Sequence, residues 1–197
     1  MITVSKASIE DSPHDIIRLI YETDEYIYPT MCNGEYYLFE KVVQKLFFKD
    51  NDNVFSYKNI NVAKENGKVV GILLYLTNKS ITPGPVENYS SITGDKSNKF
   101  NEVINCYFAR LITAIEPNVI YINNLCVDKV FRRRGVAEKL VEHLADFYIG
   151  KKIILDCLEE NTVAVKFYRK LNFEITEHFQ GYSGDQNKKV NCVRFER

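Results

Sequence analysis

The stretch from residue 119 to residue 158 constrains the fold more than any other part of the sequence. It begins with VIYINNLCV (119–127), a nearly continuous apolar run, and ends with a second such run, KIILDCL (152–158). Between them, residues 135–148 repeat apolar side chains at helical spacing, namely Val136, Ala137, Leu140, Val141 and Leu144. A strand, a helix and a strand in this order predict two parallel strands joined by a right-handed crossover.

A hairpin is predicted earlier in the chain. INVAKE (60–65) and KVVGILLYLT (68–77) are strand-like and flank Asn66-Gly67. Asparagine and glycine tolerate positive φ at both turn positions, so this pair is typical of a two-residue hairpin. The hairpin brings antiparallel strands into the same sheet.

The remaining elements follow from periodicity and from helix start and stop signals. Strands are expected at 2–5, 173–180 and 189–196, and helices at 13–20, 37–47, 103–115 and 161–171. Between the first two helices, Pro29 is expected to break the acidic and aromatic segment YETDEYIYPT (21–30). We therefore predict a single domain over residues 1–197, a mixed α/β fold whose mostly antiparallel sheet contains a central parallel pair, with helices on both faces.

Composition excludes several classes of function. Lys plus Arg equals Asp plus Glu at 26 each, so no global field attracts nucleic acid or an anionic membrane, and neither partner is expected. The N-terminus has no apolar signal-peptide core and the chain has no long apolar run, so we expect a cytoplasmic protein. Five widely spaced cysteines without a CxxC pair, and three scattered histidines, predict reduced thiols and no metal site.

Two further segments have less definite readings. Residues 80–97 are polar and contain Pro83-Gly84-Pro85, and they are long for a loop, which indicates either disorder or a functional lid. Residues 131–140, FRRRGVAEKL, place three arginines before the glycine at a helix start. Cations are unfavourable there unless an anion sits among them, because a helix N-terminus is itself electropositive.

The arginine segment has the features of an anion site. A strand, a short turn, a glycine and a helix start direct free backbone N–H groups at an anion, and Gly135 permits close approach. The arginine side chains add charge-assisted hydrogen bonds. Neither GxxxxGK[ST] nor GxGxxG occurs, which excludes a nucleotide P-loop and the dinucleotide fingerprint. The alternative is a solvated turn.

Two motifs in this region resemble those of the GNAT acetyltransferase superfamily. LCVDKVFRRRGVAEKLVEHL contains Arg132-x-x-Gly135-x-Ala137 after a strand, and LDCLEENTVAVKFYRKLNF contains Asn161, Ala164, Phe167 and Tyr168. Together they cover residues 119–173, and the order of the flanking elements also suits the family. The resemblance implies the GNAT fold, in which the central parallel strands splay apart at the coenzyme site.

The resemblance also implies roles for individual residues. The pyrophosphate of acetyl-CoA would be held by Arg132, Arg133, Arg134, Gly135, Val136, Ala137 and Glu138. The pantetheine arm would pair with Leu125, Cys126 and Val127, and the Leu125 N–H would stabilise the oxyanion that forms at the thioester carbonyl. These strand residues can be buried core at the same time. Cys126 as an acyl-carrying nucleophile is disfavoured because no histidine lies near it in sequence.

On the second motif, Tyr168 would be the general acid for the departing thiolate, and its alternative is a core aromatic. Asn161 is a helix N-cap, a coenzyme ligand or both.

The acceptor side is less clear from the sequence. A primary amine must lose a proton before it attacks, and many family members place a carboxylate on the strand before the arginines. This chain has Asn123-Asn124 there, so the candidate bases are Glu22, Asp24 and Glu25, or ordered water. The alternative for the three carboxylates is an acidic helix end on the surface. An acidic and aromatic mouth suits a cationic amine. The proposed acceptor-binding set is Glu22, Asp24, Glu25, Tyr26, Tyr28 and Asn123.

The resemblance therefore implies an acetyl-CoA-dependent N-acetyltransferase that transfers the acetyl group directly to a primary amine of a small molecule or peptide, without a metal. The alternative is a non-catalytic acyl-CoA-binding or sensing module. The sequence leaves open the acceptor amine, the general base, the role of residues 80–97, and whether the chain forms a homodimer.

Overall fold

The computed structural model describes residues 1–49, 53–80, 115–182 and 189–197. Within these ranges seven strands form one sheet in the order β1-β2-β3-β4-β5-β7-β6. The strands are β1 (Ile2–Lys6), β2 (Ile60–Glu65), β3 (Lys68–Leu76), β4 (Val119–Val127), β5 (Lys152–Leu158), β6 (Glu174–Tyr182) and β7 (Lys189–Glu196). The described α-helices are α1 (Pro13–Tyr21), α2 (Ile27–Met31), α3 (Tyr36–Phe47), α4 (Val136–Phe147) and α5 (Thr162–Lys170).

The strand directions confirm the predicted sheet. β4 and β5 are parallel and connected through α4, and the other neighbouring strands are antiparallel. The hairpin between β2 and β3 is also confirmed, because Asn66 and Gly67 both have positive φ, 52° and 80°.

Helices cover both faces of the sheet, as predicted. On one face α1, α2 and α3 pack against the sheet, and on the other α4 and α5 do so. α1 begins where the sequence signals it, since the Ser12 hydroxyl accepts from the Asp15 N–H and Pro13 occupies the first turn. α4 buries Val136, Leu140, Val141 and Leu144, and leaves Ala137 half-buried.

Two details of the N-terminal helices differ from the sequence prediction. Pro29 does not break its segment but lies inside the first turn of α2, where a missing N–H costs no helical hydrogen bond. Tyr37 was expected on the apolar face of its helix, but it is exposed, and Phe39 and Val43 are buried instead. The helix predicted over 103–115 and the segment 80–97 lie outside the described residues, apart from Ile115 and Ser80.

The parallel pair separates part-way along its length. β4 and β5 pair from Val119 and Lys152 to Ile122 and Leu155, and no further. Beyond that point β4 pairs with β3, and residues 156–158 of β5 pair with β7. We call the gap between residues 123–127 and 156–158 the fork. It confirms the splayed central pair expected of the fold.

A β-bulge marks the point where the fork opens. On β3 the consecutive residues Leu74 and Tyr75 pair with Asn124 and Ile122, so Asn123 is an extra residue on β4. A bulge bends its strand and ends regular pairing. Residues 123–127 therefore diverge from β5.

Candidate active site

The segment between β4 and α4 forms a tight loop with two left-handed residues. After a short 3-10 turn at Lys129–Phe131, Arg133 has φ 60° and Gly135 has φ 73°. A non-glycine residue in this region costs of order 1 kcal/mol or more, and such residues concentrate at functional sites. The loop thus presents its backbone in a conformation that the chain does not adopt by default.

The backbone N–H groups of this loop are available to a ligand. Lys139 donates to the Gly135 carbonyl at 3.0 Å and is the first N–H of α4 with an intrahelical partner of this kind. The N–H groups of residues 133–138 have no acceptor among the described hydrogen bonds outside the helices and strands. Six such donors beside a helix N-terminus are the arrangement expected of an anion cradle, and we call residues 133–138 the cradle.

The space in front of the cradle is open. A Cβ atom built on Gly135 would meet no atom within 4 Å, so the described residues leave the space beside this glycine open. The open space and the N–H donors are compatible with a phosphate group at this loop.

The three arginines do not act alike. The Arg132 Nε donates to the Val127 carbonyl at 3.0 Å. The Arg134 guanidinium pairs with Glu65 at 2.5 Å and lies 5.1 Å from the centre of the Phe131 ring. Arg133 is exposed and has no ionic partner in the described part of the chain. The Arg132 Nε and the Arg134 guanidinium thus contact the protein itself, and the expected role of all three arginines toward an anion stays a prediction.

Glu138 has a specific partner. Its carboxylate accepts from the Lys170 ammonium of α5 at 2.9 Å. The Lys170 ammonium offsets the negative charge of Glu138 beside the cradle. The pair also connects α4 with α5, the helices of the two motifs. Because both side chains are largely exposed, its contribution to stability is small.

Tyr168 lies on α5 within an aromatic cluster. Its ring is 5.2 to 5.7 Å from those of Phe167, Phe173 and Phe195, and the residue is 8% exposed. Burial raises the pKa of the hydroxyl, with a smaller contribution from nearby Cys157 on the β5 arm of the fork. The hydroxyl has no hydrogen-bond partner among the described residues. Tyr168 is thus a core aromatic that keeps a neutral, unengaged O–H donor.

Asn161 is the N-cap of α5. Its side-chain oxygen accepts from the Ala164 N–H at 3.1 Å, and the residue is exposed. The N-cap reading is therefore observed, while the coenzyme-ligand reading stays a prediction.

Residues 125–127 form the β4 arm of the fork. Cys126 and Val127 are buried, and Leu125 is half-buried. Burial raises the pKa of the Cys126 thiol to about 11, so the thiol stays protonated near neutral pH. A protonated thiol is a poor nucleophile, which agrees with the expectation that Cys126 does not carry the acyl group. Cys32, Cys126 and Cys157 are free thiols.

The segment between α1 and α2 contacts β4 at the bulge. Tyr28 is buried, and its hydroxyl lies 3.1 Å from the Asn124 side-chain oxygen. The Asn124 amide donates to the Thr23 hydroxyl, and the Asn123 amide donates to Asn124 at 2.6 Å. The structure thus places Tyr28 and Asn123, two predicted acceptor residues, in one network around Asn124. The available sequence signal for Asn124 is an amide inside an apolar strand; from the sequence alone, this residue indicates only that the strand has no carboxylate there.

The three candidate bases have different surroundings. Glu22 pairs with Arg18 at 2.9 Å, and Arg18 also pairs with Asp128. The Asp24 carboxylate accepts the N–H groups of Tyr26 and Ile27 at 2.7 and 2.6 Å, and burial raises its pKa.

Glu25 is exposed and Tyr26 is half-buried. Of the three candidate bases, Glu22 thus has a partner in Arg18, and Asp24 has partners in two backbone N–H groups.

A second polar cluster lies on the β5 arm, where the sequence reading placed no functional residue. Asp156 is the first β5 residue past the last parallel pair. Its carboxylate accepts from Arg194 at 2.8 and 3.0 Å and from the Tyr121 hydroxyl at 3.3 Å. An aspartate inside the apolar run IILDCL was the available signal.

Comparison with known proteins agrees with this geometry. The model of the Acetyltransferase (GNAT) family matches residues 17–173, most of the chain. The chain belongs to this family. The match confirms the resemblance inferred from the two motifs. No curated protein matches the sequence.

Solved structures share the GNAT fold at low sequence identity. An N-acetyltransferase from Staphylococcus aureus Mu50 is 17% identical, with a TM-score of 0.64, and the match covers 99% of this chain and 100% of that one. The ribosomal-protein-S18-alanine N-acetyltransferase from Escherichia coli is 14% identical, with a TM-score of 0.59 and coverage of 100% and 92%. A NatC complex bound to Gag peptide and CoA gives 16% identity, a TM-score of 0.58 and coverage of 99% and 96%. At these identities the likeness shows the fold alone.

Two other features of the described residues concern the class of protein. None of the helices in the described ranges is both long enough and apolar enough to span a bilayer. Within the same ranges, no three His, Cys, Asp or Glu side chains are grouped as a metal site.

Proposed function

We propose that this GNAT protein transfers the acetyl group of acetyl-CoA directly to a primary amine of a small molecule or peptide. The observation that carries the proposal is the continuity of the cradle with the fork. Free N–H groups at residues 133–138 suit a pyrophosphate, and the adjacent edge of β4 at 123–127 lacks a strand partner on the β5 side. An extended chain that leaves the cradle can pair with that edge as an added strand does.

Tyr168, the residue proposed to act on the thioester sulfur, lies near Cys157 on the β5 arm of the fork. Acetyl-CoA supplies the activated acetyl thioester, and the Leu125 N–H is the proposed donor to its carbonyl oxygen. As the amine nitrogen bonds to the acetyl carbon and the carbon–sulfur bond breaks, Tyr168 donates its proton to sulfur. Its buried, neutral hydroxyl and the nearby β5 arm support this role.

Asp156 is our proposal for the proton acceptor of the amine. It is the only carboxylate in the two sequence segments that line the fork, 123–127 and 156–158. Tyr121 and Arg194 hold it in place, and its side chain retains 22% exposure, so water can reach it. The ammonium form of the acceptor would bind near this carboxylate and lose its proton through ordered water.

Substitution of Asp156 by asparagine is expected to reduce kcat by about 100-fold or more, because the amide keeps the shape but cannot accept the proton. Steady-state kinetics on an accepted amine measure the effect. Arg194→Gln is the matched control, since it breaks the same ion pair and retains the carboxylate. Equal losses in the two variants would assign Asp156 a structural role instead.

One observation favours the alternative of a binding or sensing module without catalysis. Both oxygens of Asp156 already accept from Arg194, which lowers their availability to a substrate proton. The deciding experiment is release of free coenzyme A thiol from acetyl-CoA, measured with a panel of polyamines, amino acids, aminoglycosides and peptide N-termini. Amine-dependent release with a matching acetylated product supports the enzyme. Tight acetyl-CoA binding without release from any class supports the module.

The engagement of the arginines gives a separate prediction. Arg133→Gln is expected to weaken coenzyme affinity by roughly tenfold, the usual scale for one charge-assisted hydrogen bond. Arg134→Gln removes the same charge but mainly breaks the contact with Glu65, so its effect on affinity should be clearly smaller. Isothermal titration with coenzyme A compares them. The reverse order of effects would contradict the assignment.

A further inference from the structure

A small cavity lies at the end of the sheet opposite to the cradle. It is about 190 Å³ in volume and is lined by residues that end β1 and β3, precede β2 and follow α4: Lys6, Ser56, Lys58, Asn59, Tyr75, Thr77, Lys79, Ser80 and Tyr148. α4 starts at the cradle, and its 12 residues span roughly 18 Å before Tyr148. We call this cavity the distal pocket. The proposed reaction uses none of its residues.

The charge around the distal pocket has one sign. Three lysines line it, and none of the lining residues is a carboxylate. Lys6 and Lys79 have no carboxylate within ion-pair distance in the described ranges. Two ammonium groups around one concave space, without a compensating acid among the residues that line it in the described ranges, create a positive potential that attracts an anion.

One of these charges is held in a fixed position. The Lys6 ammonium donates to the Lys58 carbonyl at 3.3 Å, and it lies 5.7 Å from the Tyr75 ring centre and 5.3 Å from that of Phe147. Contacts of this kind hold a lysine over an aromatic surface. Elsewhere in the lining, the Ser80 hydroxyl donates to the Asn59 side-chain oxygen at 2.9 Å.

A buried hydroxyl in the pocket has an unused proton. Tyr75 is 2% exposed, and its oxygen accepts from the Tyr148 hydroxyl at 3.4 Å. The Tyr75 proton has no acceptor among the described residues. Burial raises the pKa of both phenols, so both remain neutral donors. A buried donor without a partner costs free energy, and an anion in the pocket would satisfy it.

We propose that the distal pocket binds a phosphate group, either inorganic phosphate or a small phosphate monoester. Phosphate offers two negative charges and several acceptor oxygens to the ammonium groups and to the Tyr75 hydroxyl. The volume is below the roughly 300 Å³ at which pockets accept drug-sized ligands, so the site suits a phosphate with few additional atoms. This site is separate from the cradle and does not depend on the proposed acetyl transfer.

The test is calorimetric titration of the full chain with potassium phosphate at constant ionic strength, with saturating coenzyme A present so that the cradle is occupied. Lys6→Gln combined with Lys79→Gln is expected to weaken phosphate binding by roughly tenfold or more. Lys41→Gln combined with Lys45→Gln removes the same charge from exposed positions on α3 and should bind as the wild type does. Weaker phosphate binding to the Lys6/Lys79 variant than to the Lys41/Lys45 variant supports the site.

Tyr75→Phe provides a second measurement that keeps all the lysines. Loss of its hydroxyl is expected to weaken binding by a few-fold to about tenfold. A parallel titration with glycerol 3-phosphate distinguishes the two sources of the phosphate group: tighter binding assigns the site to a monoester, and equal binding to phosphate itself. Wild-type phosphate affinity in the folded Lys6/Lys79 variant, or no phosphate binding to the wild type, would overturn the proposal.

Discussion

Replacement of Tyr168 by phenylalanine is expected to lower kcat by about 100- to 10,000-fold, the usual contribution of a positioned general acid. The change keeps the ring among Phe167, Phe173 and Phe195 and removes only the hydroxyl. Since that hydroxyl has no partner in the described part of the chain, its loss leaves no group unsatisfied. The effect should therefore appear in kcat, with coenzyme affinity and stability nearly unchanged.

Steady-state kinetics with an accepted amine, together with coenzyme titration and thermal unfolding, measure this prediction. Tyr148→Phe is the control, because it removes another hydroxyl whose pKa is raised by burial, at the end of α4 far from the cradle. Wild-type turnover in the Tyr168 variant would remove this residue from the mechanism and leave the cradle assignment intact. A large loss of stability would instead assign it a purely structural role.

Replacement of Gly135 by aspartate is expected to weaken acetyl-CoA binding by roughly 100-fold or more. A carboxylate placed about 4 Å from a pyrophosphate charge costs about 4 kcal/mol at the effective dielectric of a protein surface. The new side chain also fills open space beside the loop, which restricts close approach of a ligand to its main chain. The fold should persist, because a Cβ at this position meets no neighbouring atom within 4 Å.

The measurement is the rise in melting temperature with acetyl-CoA, which should correspond to about 2.7 kcal/mol at 100 times Kd for the wild type. NADH also carries a pyrophosphate but has no pantetheine arm to pair with β4, so it should give no comparable rise in melting temperature. Gly150→Asp controls for backbone strain, since Gly150 also has positive φ, 78°, and open space at its Cβ position. Unchanged acetyl-CoA affinity in folded Gly135→Asp protein would contradict the cradle.

Much of the fold was predictable because its signals are local. The turn at Asn66-Gly67, the cap at Ser12 and the apolar face of α4 each depend on residues within a few positions of one another. The parallel pair followed from a general rule of chain handedness. The sequence signal for the cradle was also local, since the strand, the glycine and the helix start follow one another in the sequence.

The partners of side chains were not predictable in the same way. Arg134 pairs with Glu65, 69 positions away, and Asp156 with Arg194, 38 positions away, so both contacts exist only once the sheet has formed. Sequence spacing therefore could not show that Arg134 has a partner in Glu65, and it gave no role to Asp156. Pro29 was misread because a proline breaks a helix only beyond its first turn.

The bulge at Asn123 sets the phase of β4. Before the bulge, Val119 and Tyr121 face α1–α3, and Ile120 and Ile122 face α4 and α5. After the bulge, the even-numbered residues Asn124 and Cys126 face α1–α3, and Leu125 and Val127 face α4 and α5. If Asn123 were paired as a regular strand residue instead of being bulged, strict alternation would place those four side chains on the opposite faces. The bulge therefore decides which side chains of residues 124–127 enter each core, and deletion of Asn123 would straighten β4 while leaving those side chains on their present faces.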